Sequence, residues 1–322
     1  VPLHLPVAFT AGQGDVSLTQ SCDPTTIPVE GTTSTCQVEA VNNSFSESTV
    51  DLDTTVSNNL KIDSVDGATS VNKRHVRRHH VTLAGATPGV PSVNPGELFG
   101  YIPLDVFGVT PIPIGDEEII NFSVPAFVYN GVTYTSAGVD SNGYVIAGGG
   151  TSEDNNCCIL PSGPDPARPN NMLAPFWTDL DGTGAPGIFA TVLTDGVDDW
   201  LVFEYRVNVF GTTSQRVFQT WIGLNNVQDI TFAYDPANLP ADPAGQDFLV
   251  GAENVLGQGD MESVLPTGDL RVTSTDPAPG GSVSYSLSVV GTEPGTGTVR
   301  TEMVASTVPG VTVRTTPIEV VP

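Results

Sequence analysis

The sequence predicts an all-β chain of tandem β-sandwich domains, and three observations carry that reading. Short runs rich in Val, Ile, Thr and aromatic residues recur along the chain, punctuated by 34 glycines and 27 prolines, as expected between strands. No long segment repeats its apolar residues at the helical period. Asn-Gly steps stand between apolar runs, Asn130-Gly131 between FVY and VTY and Asn142-Gly143 between AGVDS and YVIAG, and each marks a two-residue hairpin. A length of 322 residues is enough for two or three domains.

The formal net charge is −25, from 11 basic and 36 acidic residues. That balance repels nucleic acid and anionic membranes and is compatible with cation binding. No run of apolar residues is long enough for a transmembrane helix, so membrane insertion is not expected. No basic stretch leads into an apolar core at the start; a secreted form would carry that signal upstream.

In chain order, residues 1–14 read as a linker or trailing strand. Residues 15–114 read as a first sandwich. VSLTQSC is a strand, DPTTIPVEGT a turn, and STCQVEAVN a strand that turns Cys36, Val38 and Ala40 inward. TVDLDTTV and LKIDSV follow. Cys22 and Cys36, with 13 residues and a turn between them, read as a disulfide across adjacent strands, which implies an oxidising, extracellular compartment. This module resembles the immunoglobulin-like repeats of bacterial surface and secreted proteins.

NKRHVRRHH, Asn72 to His80, breaks the acidic pattern with Lys73, Arg74, Arg77, Arg78 and three of the four histidines. Its plainest reading is a charged edge strand that deters edge-to-edge pairing. The alternatives are a docking patch for an anionic surface or polysaccharide, strengthened at mildly acidic pH by the histidines, and a processing site.

Residues 115–267 read as a second, larger sandwich. Its loop from Gly148 to Arg168 carries Pro161, Pro164 and Pro166 together with Cys157 and Cys158, and loops of this length are either functional or poorly ordered. The adjacent cysteines are consistent with a vicinal disulfide, with free thiols or with a bridge between chains. NNMLAPFWTDLDGTG, Asn170 to Gly184, then runs from an apolar strand into Asp179 and Asp181. Trp177, Trp221, Phe176, Phe203, Tyr205, Phe218 and Phe232 are expected to fill the core between the sheets. Residues 268–322 read as a second immunoglobulin-like repeat, short beside the first, because an opening strand and an Asp-Pro turn return there (Asp23-Pro24, Asp276-Pro277).

PNNMLAPFWTDLDG, followed by WLVFEYRVN, FQTWIGL and DITFAYD, resembles the nidogen-like β-modules of many secreted bacterial proteins. In actinobacteria these often follow a subtilisin-like protease domain, and the opening VPLHLPVAFT resembles the last strand after such a protease's fibronectin-like domain. The resemblance implies a non-catalytic C-terminal accessory region of a secreted serine protease that spaces or docks protein substrates or the cell surface, with the protease upstream in the same parent chain. The alternative is a structural or adhesive surface protein with no protease partner.

Chemistry within the chain has little support. The Asp, His and GTSMA-type Ser motifs of a subtilisin-like triad and a GxSxG elbow are all absent. With 36 acids a glycosidase-like pair carries no information. No His/Cys set has zinc spacing. Asp179, Asp181, Thr183 and Gly184 match the first, third, fifth and sixth positions of a calcium loop, but Ala190 stands where its final Glu belongs. Calcium in another geometry, helped by Asp140 or Asn170, is the metal expectation. A binding surface, if present, is expected on Gly148–Arg168 and the turn Asp179–Gly184.

Overall fold

The structure is a computed structural model that describes residues 16–237, 240, 241, 243 and 245–322. VPLHLPVAFT, the rest of the expected linker over 1–14 and Asp15 lie outside the described residues. The all-β expectation holds: among the described residues the single helical element is the 3-10 turn Leu104–Phe107. The chain divides into two compact units. Among the described residues one is discontinuous, built from residues 16–87 and again from Ala278 to Pro322; the other, Pro88–Pro277, is inserted between them in sequence.

The discontinuous unit is a sandwich of two sheets. One holds Val16–Asp23, Ser34–Asn42, Ser282–Gly291 and Leu60–Asp66 in that order. The other holds Thr26–Pro28, Val308–Val321, Gly295–Ala305, Ser48–Val56, His75–Leu83 and Thr69–Asn72. Strict alternation buries Ser34, Cys36, Val38, Ala40 and Asn42, as the period-two pattern requires. Cys22 lies opposite Cys36 in register and is bonded to it. A loop of that size contributes roughly 3 kcal/mol in the chain-entropy account.

The tail is therefore not a second repeat. Ser282–Gly291 sits between two strands of the first half, with Tyr285 opposite Val38 and Leu287 opposite Val65. Gly295–Ala305 pairs with Ser48–Val56, placing Met303 opposite Leu52. Val283, Leu287, Val299, Met303 and Ile318 join Leu18, Val38, Leu52 and Val76 in one core. Inside it Thr54 Oγ1 lies 2.5 Å from Tyr285 Oη and 2.6 Å from Thr301 Oγ1. The physical reason is size. Three strands alone cannot enclose a core, whereas together the two halves make one sandwich.

The inserted unit also begins earlier and ends later than expected. Pro91–Pro95 and Leu270–Ser274, assigned from sequence to the flanking domains, pair antiparallel with each other, so the two ends of the insert lie side by side. They close a sheet that continues through Ile230–Tyr234, Gln215–Gly223 and Asp199–Val209 to Leu180–Asp181, with Gly187–Thr194 also paired to Asp199–Val209. The facing sheet runs Gly259–Glu262, Leu249–Glu253, Met172–Trp177, Tyr144–Ala147, Val132–Asp140 and Ile119–Tyr129. Between them lie Phe122, Phe176, Phe203, Tyr205, Phe218 and Phe232.

Trp177 and Trp221 are not in that core. Phe176 and Trp177 are consecutive on a strand and must leave from opposite faces. Trp177 instead joins Tyr144, Ile146, Met172, Leu249 and Met261 on the outer face of its sheet, and Trp221 joins Phe189, Trp200 and Val202 on the outer face of the other. Both outer faces are covered, the second by residues around the turn Leu104–Phe107. That cover is tied down by the buried carboxylate of Glu204, which accepts from Tyr101 Oη (2.8 Å), Leu104 N (2.7 Å), Gln219 Nε2 (3.1 Å) and Arg206 Nε. Burial on both faces explains the unbroken apolar runs, which alternation would otherwise interrupt.

The hairpins differ. Asn130-Gly131 is a two-residue turn with φ of 52° and 80°, joining Tyr129 to Val132. At Asn142-Gly143 the register pairs Asp140 with Tyr144, so this loop has three residues. Asn142 N donates to Asp140 Oδ1 at 2.8 Å and Asn142 Oδ1 accepts from Leu180 N at 3.0 Å. Gly143, at φ 89°, backs onto the Phe176 carbonyl with no room for a Cβ.

Removing residues 278–322 is expected to leave residues 16–87 without a cooperative fold, seen as loss of slow-exchanging amides throughout Ser34–Asn42 and Ser48–Val56. Two independent repeats would leave those amides protected.

Candidate functional site

The long loop is an ordered cover over the outer face of the sheet. Trp177 Nε1 donates to the Asn156 carbonyl at 2.8 Å, Tyr144 Oη donates to the Asp154 carbonyl at 2.7 Å, and Asn156 N donates back to Tyr144 Oη at 3.0 Å. Arg168 closes the loop on itself by pairing with Glu153 (3.2 Å) and Asp154 (3.3 Å). Leu160 packs on the cluster around Trp177. Between loop and sheet lies a cavity of about 200 Å³ lined by Ile159, Leu160, Pro161, Pro169, Trp177 and Glu253, among others. Cys157 and Cys158 are bonded to each other. Asn170 donates to the Pro166 carbonyl at 3.2 Å and so belongs to the loop.

Beside the disulfide, carboxylates gather at the strand ends. Cys158 Sγ lies 3.7 Å from Asp179 Oδ2. One ligand atom each from Glu117, Asp179, Cys157 and Cys158 falls within a span of 4.8 Å. Asp116 bridges to Asp181 through the backbone, an approach that glycine at 182 permits because a Cβ there would meet the Ile114 carbonyl at 2.3 Å. Burial, then the charge of neighbouring carboxylates, raises the pKa of Asp116, Glu117 and Asp179. Asp140 is wholly buried, and burial pushes its pKa well up.

The sequence match to a calcium loop does not survive as a loop. Leu180–Asp181 is a strand paired with Asn208 and Val209. Thr183 contributes its backbone N–H to Asp181 Oδ1, at 2.6 Å. What the fold brings together is Asp179 and Asp181 with Asp116 and Glu117. Reading the sequence locally missed the last two, because more than sixty residues separate them from Asp179. IGDEEI shows only an acidic run.

The sequence profile of the NIDO-related family matches residues 113–300, more than half of the chain. The chain belongs to the NIDO-related family. A search of curated proteins finds no match. The matched span takes in the carboxylate cluster, the long loop and most of the insert, and runs on into Ser282–Gly291 and Gly295–Ala305. The nidogen-like reading of the sequence is thereby shown, and with the Cys22–Cys36 disulfide it accords with an extracellular protein.

The basic run lies outside the NIDO-related match. Thr69–Asn72 forms a sheet edge and His75–Leu83 the strand beside it. His75 and His79 reach Asp53 at 2.6 and 2.7 Å, Arg77 reaches it at 3.5 Å, and His80 lies 3.4 Å from Asp51. Burial opposes ionisation of Asp53, but the two histidine hydrogen bonds and charges outweigh it and lower its pKa. Arg74 donates to Asn58 Oδ1 and to the Asn58 carbonyl. Lys73 and Arg74 line a hollow with Lys61 and Glu293. Arg77 and Arg78 leave a strand from opposite faces, so the four cations do not form one patch.

Glu253 is the unexpected group of the NIDO-related module. It is 3% exposed, lies at the base of the loop cavity, and accepts from the Asp165 backbone N–H. Burial, with a further push from the Asp165 carboxylate, raises its pKa to about 8. The unfolded chain ionises this side chain near 4.5, so the native state holds a proton that the unfolded state releases, and stability falls as pH rises through that window. Glu253→Gln, which resembles the protonated form, is expected to match the parent's melting temperature near about pH 4 and to exceed it above about pH 8. Thermal melts across pH check this; parallel curves for the two proteins would contradict it.

Proposed function

We propose that this chain is a non-catalytic extracellular accessory region of a secreted subtilisin-like serine protease, and that its NIDO-related module docks protein substrates or a cell-surface component. The observation that carries the docking role is the cavity beneath the ordered loop. Its volume, about 200 Å³, suits one side chain. Its walls are mostly apolar, with Asn156, Asp165 and Arg168 also in the lining and Ile159 standing 85% exposed, and Glu253, neutral at pH 7 by its raised pKa, favours a guest that brings a hydrogen-bonding group. Arg168 does not satisfy that group, because it is engaged with Glu153 and Asp154. The protease association is supported by the sequence resemblance of the NIDO-related module and of VPLHLPVAFT. The non-catalytic role is supported by the missing serine-hydrolase motifs.

Antibody capture of the native chain from culture supernatant is expected to bring down a larger polypeptide that reacts with a fluorophosphonate probe. A captured chain without a reactive serine, retained at the cell surface, would favour the adhesive alternative. Ile159→Asp, at an exposed position that leaves the fold alone, is expected to weaken retention of the co-captured partner at least about tenfold, in keeping with the loss of a central anchor. Unchanged retention would remove the cavity from the account.

A further inference from the structure

The chain has two lysines, Lys61 and Lys73, against 36 acidic residues, and the fold of the discontinuous unit brings both to one hollow together with Arg74. Backbone hydrogen bonds fix the segments that form it. Ile62 N donates to the Lys73 carbonyl at 2.8 Å, Val56 N to the Arg74 carbonyl at 3.1 Å and Thr292 N to the Asn59 carbonyl at 2.9 Å. The start of Leu60–Asp66, the turn before His75–Leu83 and the residues just after Ser282–Gly291 are thereby held against one another. The hollow has a volume of about 600 Å³, within the range of small-ligand sites.

Its oxygens are engaged within the fold and its donors are left open. Asn58 Oδ1 accepts from Arg74 Nη1 at 3.1 Å, and Asn72 Oδ1 accepts from Arg74 N at 2.8 Å. The Asn58 carbonyl accepts from Arg74 Nη2 at 2.9 Å and from Thr292 Oγ1 at 3.4 Å. Among the described residues Lys61 and Lys73 form no ion pair, although Glu293 lines the same hollow. Neither their ammoniums nor the Nδ2 groups of Asn58 and Asn72 donate a hydrogen bond. Three cations outweigh Glu293, so the hollow is a positive region in a chain of net charge −25. It draws an anion where the chain as a whole repels one.

Two features narrow the guest. The net charge repels a long polyanion, so the guest carries its negative charge at one place. Every residue that lines the hollow is polar, which leaves no apolar wall for the side chain of a docked peptide and suits a guest dense in oxygen acceptors. We propose that Lys61 and Lys73, with the amide groups of Asn58 and Asn72, form a binding site for an acidic saccharide, a neutral sugar chain that carries a single carboxylate. The ammoniums take the carboxylate, the amides donate to hydroxyl and ring oxygens, and Arg74 adds charge while keeping the asparagine oxygens turned away. The site lies in the discontinuous unit and depends neither on the protease association nor on the cavity beneath the loop.

The test titrates the full chain, disulfides intact, with an aldobiouronic acid (one glucuronic acid joined to one neutral sugar), followed by amide chemical shifts. Saturation at millimolar concentration is expected, with shifts centred on Asn58–Ile62, Asn72–Arg74 and Thr292–Glu293, and binding that weakens as salt is added. The methyl ester of the same disaccharide is expected to bind at least about tenfold more weakly, as are Lys61→Gln and Lys73→Gln with the acid, the size of one lost charge-assisted hydrogen bond. Arg78→Gln, which removes an exposed cation outside the hollow, is expected to bind as the parent does. Four results would overturn the proposal: no saturable binding by the unaltered chain, equal binding of acid and ester, affinity that stays the same in both lysine variants or drops equally in Arg78→Gln, or tighter binding of triglutamate, which would give the hollow to an acidic protein segment. The first two are read on the unaltered protein, so they stand even where a variant folds poorly.

Discussion

Everything distinctive in the inserted module follows from one constraint, the strand Met172–Trp177 being buried on both faces. Phe176 points into the sandwich and Trp177 away from it. An outward tryptophan next to an outward Tyr144 and Met172 cannot be left to water without exposing a large apolar patch. The loop from Gly148 onward supplies the cover, and its hydrogen bonds run to the same two side chains, from Trp177 Nε1 and with Tyr144 Oη. A long connection thus becomes part of the packed structure. The cavity and the approach of Cys158 to Asp179 are consequences of where that cover lands.

Part of this was legible in the sequence and part was not. The alternation in STCQVEAVN, the pairing of Cys22 with Cys36 and the Asn130-Gly131 turn are local signals with one physical solution each, and the structure has them. The tail misled because the signals in it are also local. An opening strand and an Asp-Pro turn look the same whether a strand starts a new repeat or returns to an old sheet, and the deciding fact, that Ser282–Gly291 fills the place between Ser34–Asn42 and Leu60–Asp66, is a long-range one. The tryptophans misled for a related reason. In an apolar run with no polar interruptions, parity tells which residues share a face but not which face is the core.

The candidate site repeats that division. Asp179 and Asp181 stood out because they end an apolar strand. Glu117 and Asp116 did not, since acids are common in a chain of this composition, and only the sheet brings them within reach. Glu253 was hidden within DFLVGAENV, where a Glu after an apolar run carries no local sign of burial. Its burial depends on the loop cover, which no local pattern reveals. The basic run shows the opposite case: its charges were conspicuous, yet the fold spends the histidines and Arg77 on Asp51 and Asp53.

Loop and outer sheet face therefore form one packed assembly, fastened at Tyr144 and Trp177. The most direct measurement is amide hydrogen exchange on the parent and on Tyr144→Phe, which removes the hydroxyl that Asn156 N donates to. Slow exchange at Asn156 in the parent, lost in the variant, is the predicted result. Fast exchange at Asn156 in the parent would contradict the cover.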